Sequence, residues 1–286
     1  MTAASLHEAL AAAAPGPLLA FNVIQLEHAE AITAAAVSAG CPVVLQISEN
    51  AAGYHGGVLP LTKACLELAA TAPVPVLVHI DHATDTAIIE QAVSAGVRSV
   101  MFDGAALPYA DNLAQTAAVT SWCHARGVSV EAELGAVGGK DGDHRAAART
   151  DPSQAADFVK STGIDTLAVA VGSSHAKLTQ DSLLDCQLIT ALAAAVAIPL
   201  VLHGGSGVPD AGLVQAVTSG IKKVNVATRL NAVLTAAVRA TLDTDTSAVD
   251  PRKWLAPGRA AMERETRRLL DLLTPINGLT PIKDDR

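Results

Sequence analysis

The chain has 286 residues, half of them apolar but only 2% aromatic, so a folded core must be filled with Ala, Val, Leu and Ile. A formal net charge of -8 without a basic run argues against a nucleic-acid partner, whose footprint is a basic face, yet leaves room for one anionic small molecule in a local pocket. No run of about 18 apolar residues predicts a membrane span, and four widely spaced cysteines without a CxxC pair read as reduced thiols of a cytoplasmic protein.

The N-terminal stretch from Met1 to Pro17 is Ala-rich and lacks the basic start of a signal peptide, so it reads as a capping helix. Eight short apolar runs then follow in order: Leu18–Val23, Val43–Ser48, Val76–Asp81, Ser99–Gly104, Ser129–Gly135, Thr166–Gly172, Leu200–Gly205 and Lys223–Thr228. Continuous apolar runs are what parallel strands buried on both faces look like. Between them lie helical patterns such as Glu27–Gly40, Thr84–Gly96, Asp181–Val196 and Pro209–Gly220, several ending in glycine where a left-handed stop is expected. Eight strand-helix units predict a TIM (β/α)8 barrel, as a single domain over 1–286 with a C-terminal extension containing a helix at Ala260–Leu273. A doubly wound open sheet would want a glycine-rich turn after the first strand, and Phe21-Asn22-Val23-Ile24-Gln25 stands there instead.

The polar residues gather at the C-terminal ends of these strands: Asn22, Ser48, His79-Ile80-Asp81-His82, Asp103, Glu131-Ala132-Glu133, Gly172-Ser173-Ser174-His175, His203-Gly204-Gly205-Ser206-Gly207, and Asn225 with Thr228. A barrel places its chemistry on that face. A lone histidine is most often structural, but His82, His175 and His203 follow three different strands, and three neutral imidazoles with an open position make a catalytic zinc site. His79 shares the side of Asp81 one layer deeper and reads as structural. Asp81 is suited to exchange a proton with a substrate hydroxyl, the alternative being a partner that orients an imidazole. The bare amides of Gly204-Gly205-Ser206-Gly207, ahead of a helix opened by Pro209, form a nest for phosphate.

His79-Ile80-Asp81-His82-Ala83 and Val130-Glu131-Ala132-Glu133-Leu134-Gly135-Ala136-Val137-Gly138-Gly139 resemble the two signatures of class II fructose- and tagatose-bisphosphate aldolases. Val201-Leu202-His203-Gly204-Gly205-Ser206-Gly207 and Val224-Asn225-Val226-Ala227-Thr228 are similar to the family's later phosphate-site motifs, and Phe21-Asn22, Ser48 and Asp250-Pro251-Arg252 extend the likeness over nearly the whole chain. The resemblance implies a zinc-dependent lyase that cleaves fructose 1,6-bisphosphate reversibly to dihydroxyacetone phosphate and glyceraldehyde 3-phosphate, with tagatose 1,6-bisphosphate or another ketose phosphate as alternatives.

On the family pattern, His82, His175 and His203 hold the zinc, with Glu133 and Asp103 offering a further position. Asp81 is the acid/base at the C4 hydroxyl. A second acid/base on the loop after strand 5 aligns with Asp141, and Asp143 competes for that role. Substrate contacts fall to Asn22, Ser48, Gly172, Gly204, Gly205, Ser206, Asn225, Ala227 and Thr228. Arg259 is similar to an arginine that reaches the far phosphate, often from a neighbouring subunit. Some members bind a monovalent cation, sodium or potassium, beside the phosphate, and a homodimer or homotetramer is the implied assembly. One departure stands out: where the family has glycine after the strand 6 histidine, this chain has Ala176, followed by Lys177, whose charge could compensate.

Three other classes fit less well. A Schiff-base aldolase needs a lysine at the C-terminal end of a strand, and Lys223 begins strand 8 at the opposite end. A zinc hydrolase on a barrel typically carries His-x-His after strand 1, which Phe21-Asn22-Val23 lacks. A scaffold without activity would be expected to have lost ligands, and here all three histidines and Asp81 remain.

Overall fold

The computed structural model describes residues 4–135 and 149–274. Eight parallel strands close a barrel in sequence order: β1 (Leu18–Asn22), β2 (Val43–Ser48), β3 (Val76–Ala83), β4 (Ser99–Phe102), β5 (Ser129–Leu134), β6 (Thr166–Val169), β7 (Leu200–Leu202) and β8 (Ile221–Val226). β8 pairs with β1, Lys223 opposite Leu18 and Asn225 opposite Ala20. The helices are α1 (Leu6–Ala13), α2 (Leu26–Ala39), α3 (Glu49–Tyr54), α4 (Leu59–Thr71), α5 (Thr86–Ser94), α6 (Tyr109–His124), α7 (Pro152–Thr162), α8 (Cys186–Ala195), α9 (Asp210–Ser219), α10 (Thr228–Thr244) and α11 (Pro251–Leu273). Among the described residues no helix is long and apolar enough to cross a membrane.

Side-chain alternation divides each strand between two cores. Leu19, Phe21, Val43, Leu45, Val76, Val78 and Ile80 pack outward against the helices in the main apolar core. The intervening Leu18, Ala20, Val44 and Leu77 face the barrel axis and form a second cluster with Leu6, Ala9 and Ala13 of α1. The N-terminal helix therefore plugs the bottom of the barrel. Ser5 and Glu8 form a capping box at its start, which satisfies two amides that would otherwise lack partners. Above the apolar floor the inward positions become polar: Gln46, His79, Asp81, Glu131, Glu133, Lys223 and Asn225 are all buried.

Several strands are shorter than the apolar runs. Asp103 and Gly172 lie beyond β4 and β6, and His203 stands one residue after β7, so the functional side chains sit on the turns that leave the barrel. The helix expected from Asp181 begins at Cys186, where Asp185 accepts a hydrogen bond from the Leu188 amide as N-cap. The helix expected at Ala260–Leu273 is the second half of α11. That helix starts after an Asp250 N-cap and continues through Pro257. Gly258 lets it cross α10 closely, since a Cβ there would approach the Leu234 side chain to 2.5 Å.

A candidate metal and phosphate site at the barrel mouth

The C-terminal mouth holds a cavity of about 580 Å³, lined by residues that include Asn22, Gln46, Asp81, His82, His175, Gly204, Ser206, Asn225 and Thr228. Two lining residues, His82 and His175, form a group with the buried Glu133 and His203 in which ligand-capable atoms lie within 4.8 Å of one another. Their elements, β3, β5 and the turns after β6 and β7, are separate in sequence and adjacent in the barrel.

Alternation alone would put His82 on the wrong side. Leu77, His79 and Asp81 face inward, so the next residue should face the helices. Instead His82 takes φ 51°, and the β3–β4 register shifts between Ile80 and Ala83. A left-handed backbone is costly for a residue with a Cβ, and here the bulge re-aims a side chain toward the mouth. The ring is then fixed by Asp103, whose Oδ2 lies 2.7 Å from Nδ1. That leaves Nε2 facing the cluster, 4.0 Å from Asp81 Oδ1. Asp103, read from the sequence as part of a further metal position, thus stands behind His82 and outside the four-residue group.

His203 is wholly buried between two carboxylates, with Nδ1 2.9 Å from Glu133 Oε2 and Nε2 3.0 Å from Glu131 Oε1. Burial alone would lower its pKa, but the hydrogen bonds to Glu131 and Glu133 overturn that and raise it to about 10. His175 goes the other way: burial, then repulsion from His203 and His82, lowers it to about 4, leaving a neutral imidazole suited to a metal. The donor set of three imidazoles and one carboxylate fits zinc.

The raised His203 pKa has two consequences. The imidazolium contributes stability that is fully present below its ordinary value of 6.5 and lost as pH rises through about 10. A cation that takes Nδ1 must displace a proton, so metal uptake at pH 8 should release about one proton per site. Calorimetry of zinc binding in buffers of different ionisation enthalpy checks this; a heat independent of the buffer would contradict it.

Asp81 is buried beside the cluster. Burial favours its neutral form, but the neighbouring His82 and His203 outweigh this and hold its pKa below the ordinary carboxylate value. Asn22 Nδ2 donates to Asp81 Oδ2 at 2.8 Å, and Gln46 Nε2 donates to Asn22 Oδ1 at 2.7 Å. Asn22, expected as a substrate contact, lines the cavity and also orients this carboxylate. Gln46 was not anticipated, although a polar residue two positions after inward-facing Val44 was a usable signal.

The glycine turn forms another part of the lining. Gly204 has φ 69°, and a Cβ there would come within 2.6 Å of the Ser174 carbonyl. Gly205 packs against the Asn225 carbonyl, where a Cβ would come to 2.8 Å, so it shapes the turn without lining the cavity. Ser206 Oγ accepts from the amides of Ala227 and Arg229 at 3.0 and 3.2 Å. This ties the nest to the N-terminus of α10, whose first residue, Thr228, borders the cavity with Ala227. A helix start plus a glycine turn is a ready anion site. Asn225 Oδ1, in the same wall, is buried without a partner among the described residues.

The remaining expectations divide. Ser48 lines the cavity and caps α3 through the Ala51 amide. Gly172 lies behind the mouth, where a Cβ would run into the Leu183 carbonyl and the Arg149 guanidinium. Lys177 ion-pairs with Asp181 and borders a neighbouring cavity. Arg259 points outward from α11 and pairs with Glu30 on α2, away from this chain's own cavity. Asp141 and Asp143 lie outside the described residues. Glu49, Asn50 and Thr84 line the cavity unforeseen, and Ser174, part of the polar set at the strand ends, lines it too.

Ala176 does occupy a glycine-like conformation, with φ 55°, on an exposed turn at the cavity edge. Ala176→Gly should therefore stabilise the fold by about 0.5–1 kcal/mol, relief of strain outweighing the added freedom of the unfolded chain. Urea unfolding would show it as a higher midpoint at equal slope; a lower midpoint would mean the turn carries no strain.

The family model for class II fructose-bisphosphate aldolase matches residues 4–277. A fructose-bisphosphate aldolase of Geobacillus stearothermophilus is 40% identical over 248 residues, spanning 85% of this chain and 86% of the relative. Among solved structures, the YdjI aldolase from Escherichia coli K12 superposes with a TM-score of 0.81 at 30% identity, covering 94% of this chain and 96% of the other. A putative fructose-1,6-biphosphate aldolase from Coccidioides immitis gives 0.80 at 26% identity, with 93% of each chain covered.

Proposed function

Because the chain belongs to the class II fructose-bisphosphate aldolase family and is therefore a lyase, we propose that it cleaves fructose 1,6-bisphosphate reversibly into dihydroxyacetone phosphate and glyceraldehyde 3-phosphate, with zinc as its metal. The observation that carries this reading is the meeting of a four-residue ligand cluster, an ionised aspartate and a phosphate nest around one cavity.

His82, His175 and His203 would hold the zinc, with Glu133 within reach of the same ion. When bound, zinc supplies a Lewis acid that makes negative charge on the three-carbon half tolerable. The other tasks fall to the protein. The amides of Gly204 and Ser206 and the start of α10 at Ala227 and Thr228 bind the phosphate of that half, which fixes its register against the ligand wall. Asp81 takes the proton from the C4 hydroxyl during cleavage and returns it during condensation. Its depressed pKa keeps it in the ionised form that can accept a proton, and Asn22, held by Gln46, keeps the carboxylate in one orientation. Asn225 is buried with an unpaired oxygen in the phosphate wall and is assigned to the same half of the substrate. Asp141, which follows β5 in the sequence, is proposed to move the proton at C3.

The zinc-loaded protein should cleave fructose 1,6-bisphosphate, lose that activity to a chelator and regain it with zinc, while borohydride with substrate traps nothing. Parallel assays with tagatose 1,6-bisphosphate and 5-dehydro-2-deoxygluconate 6-phosphate decide the sugar. Cleavage that survives chelation, or a borohydride-trapped adduct, would refute the proposed chemistry; preference for another ketose would replace only the substrate.

A further inference from the structure

Below the ligand cluster lies a layer of charge that the chemistry above leaves unused. Alternation along β8 sends Val224 and Val226 into the outer core and Lys223 to the barrel axis, where it is 1% exposed. Lys223 Nζ donates to Glu131 Oε2 at 2.8 Å. The Thr166 hydroxyl donates to the same oxygen at 3.2 Å, and the other oxygen of Glu131 meets His203 Nε2 at 3.0 Å. His79, on the same level, pairs with Ser99 Oγ instead.

We infer that Lys223 and Glu131 are a positioning pair for the metal: the buried ammonium pins Glu131, and Glu131 fixes His203 with its Nε2 proton down the barrel and its Nδ1 lone pair up toward the ligand cluster. This rests on His203 being a ligand, as proposed above. The two ring nitrogens are not equivalent. Nδ1 faces Glu133, a member of the cluster, whereas Nε2 faces away from the mouth. A lone pair on Nδ1 requires the proton on Nε2, and that proton needs an acceptor.

Glu131 accepts it most strongly as a carboxylate, and a buried carboxylate without a cation would tend to protonate. Here the cation is in place: Lys223 Nζ, itself buried, stands 2.8 Å from Glu131 Oε2. A pair serving the fold alone would not need to share its second oxygen with a metal ligand. Nor does Lys223 act as an amine nucleophile, because its Nζ is engaged and it does not line the cavity. Outer partners of this kind set the tautomer and basicity of metal-bound histidines, and their loss typically costs 10–100-fold in metal affinity.

Removing one charge alone would leave the other buried and uncompensated, so Lys223→Met could simply fail to fold. The informative variant is Glu131→Gln/Lys223→Met, which removes both charges at similar volume. Zinc affinity, read by chelator competition on folded protein, should fall about 10–100-fold. In the unaltered protein loaded with zinc, nitrogen NMR should find the His203 proton on Nε2 and the metal on Nδ1. An affinity for the double variant within about twofold of the parent would overturn the inference. So would a His203 whose Nε2 carries the metal, a readout that needs no variant. A parent protein that binds zinc without His203 would instead overturn the ligand assignment on which the pair depends.

Discussion

Asp81→Ala should lower the turnover number for ketose-bisphosphate cleavage about 10²–10⁴-fold, the range for loss of a positioned acid/base, while zinc stays at the parent content. Asp81 lies outside the ligand group of His82, Glu133, His175 and His203, which is why the metal should stay. Its Oδ2 accepts from Asn22, whereas Oδ1 is buried without a hydrogen-bond partner among the described residues, in a side chain that borders the cavity. That oxygen is the one left to take a substrate proton. Steady-state kinetics with metal analysis on one preparation separates the alternatives: turnover near the parent's would remove the proton-transfer role, and metal lost in proportion to activity would make Asp81 a support for the ligands.

His203→Ala should cost more than about 100-fold in zinc affinity, beyond the range for outer partners, and activity should fall with metal content. Two effects combine. The variant removes one imidazole of three, and it leaves Glu131 and Glu133 without the ring that bonds both. Each buried carboxylate thereby loses a hydrogen bond, so urea unfolding must accompany the metal analysis. A folded variant that retains stoichiometric zinc would show that His203 is not a ligand.

The barrel was legible because strands buried on both faces read as unbroken apolar runs, and the eight runs coincide with β1 to β8. Strand ends were less legible: the runs continue into turns at Asp103 and Gly172, since buried turn residues carry no periodicity of their own. The clustered histidines could be read from position, but the route of His82 to the mouth could not. It depends on a bulge and a left-handed backbone that alternation argues against.

The inward-facing Gln46, Glu131 and Lys223 show the complementary failure. Each sits at an alternate position within a strand, so parity flags it. Lys223 was discounted because it enters β8 far from the mouth, yet a lysine side chain is long enough to reach Glu131. Arg259 was assigned by likeness and Lys177 by its charge beside Ala176, and local ion pairs with Glu30 and Asp181 determine where they sit here.

Anomalous diffraction at the zinc edge from metal-loaded crystals is the most direct test. The account predicts one zinc per chain at the mouth, bound by His82 Nε2, His203 Nδ1 and His175. Zinc found elsewhere while the three imidazoles point apart, in protein that still cleaves the sugar, would contradict it.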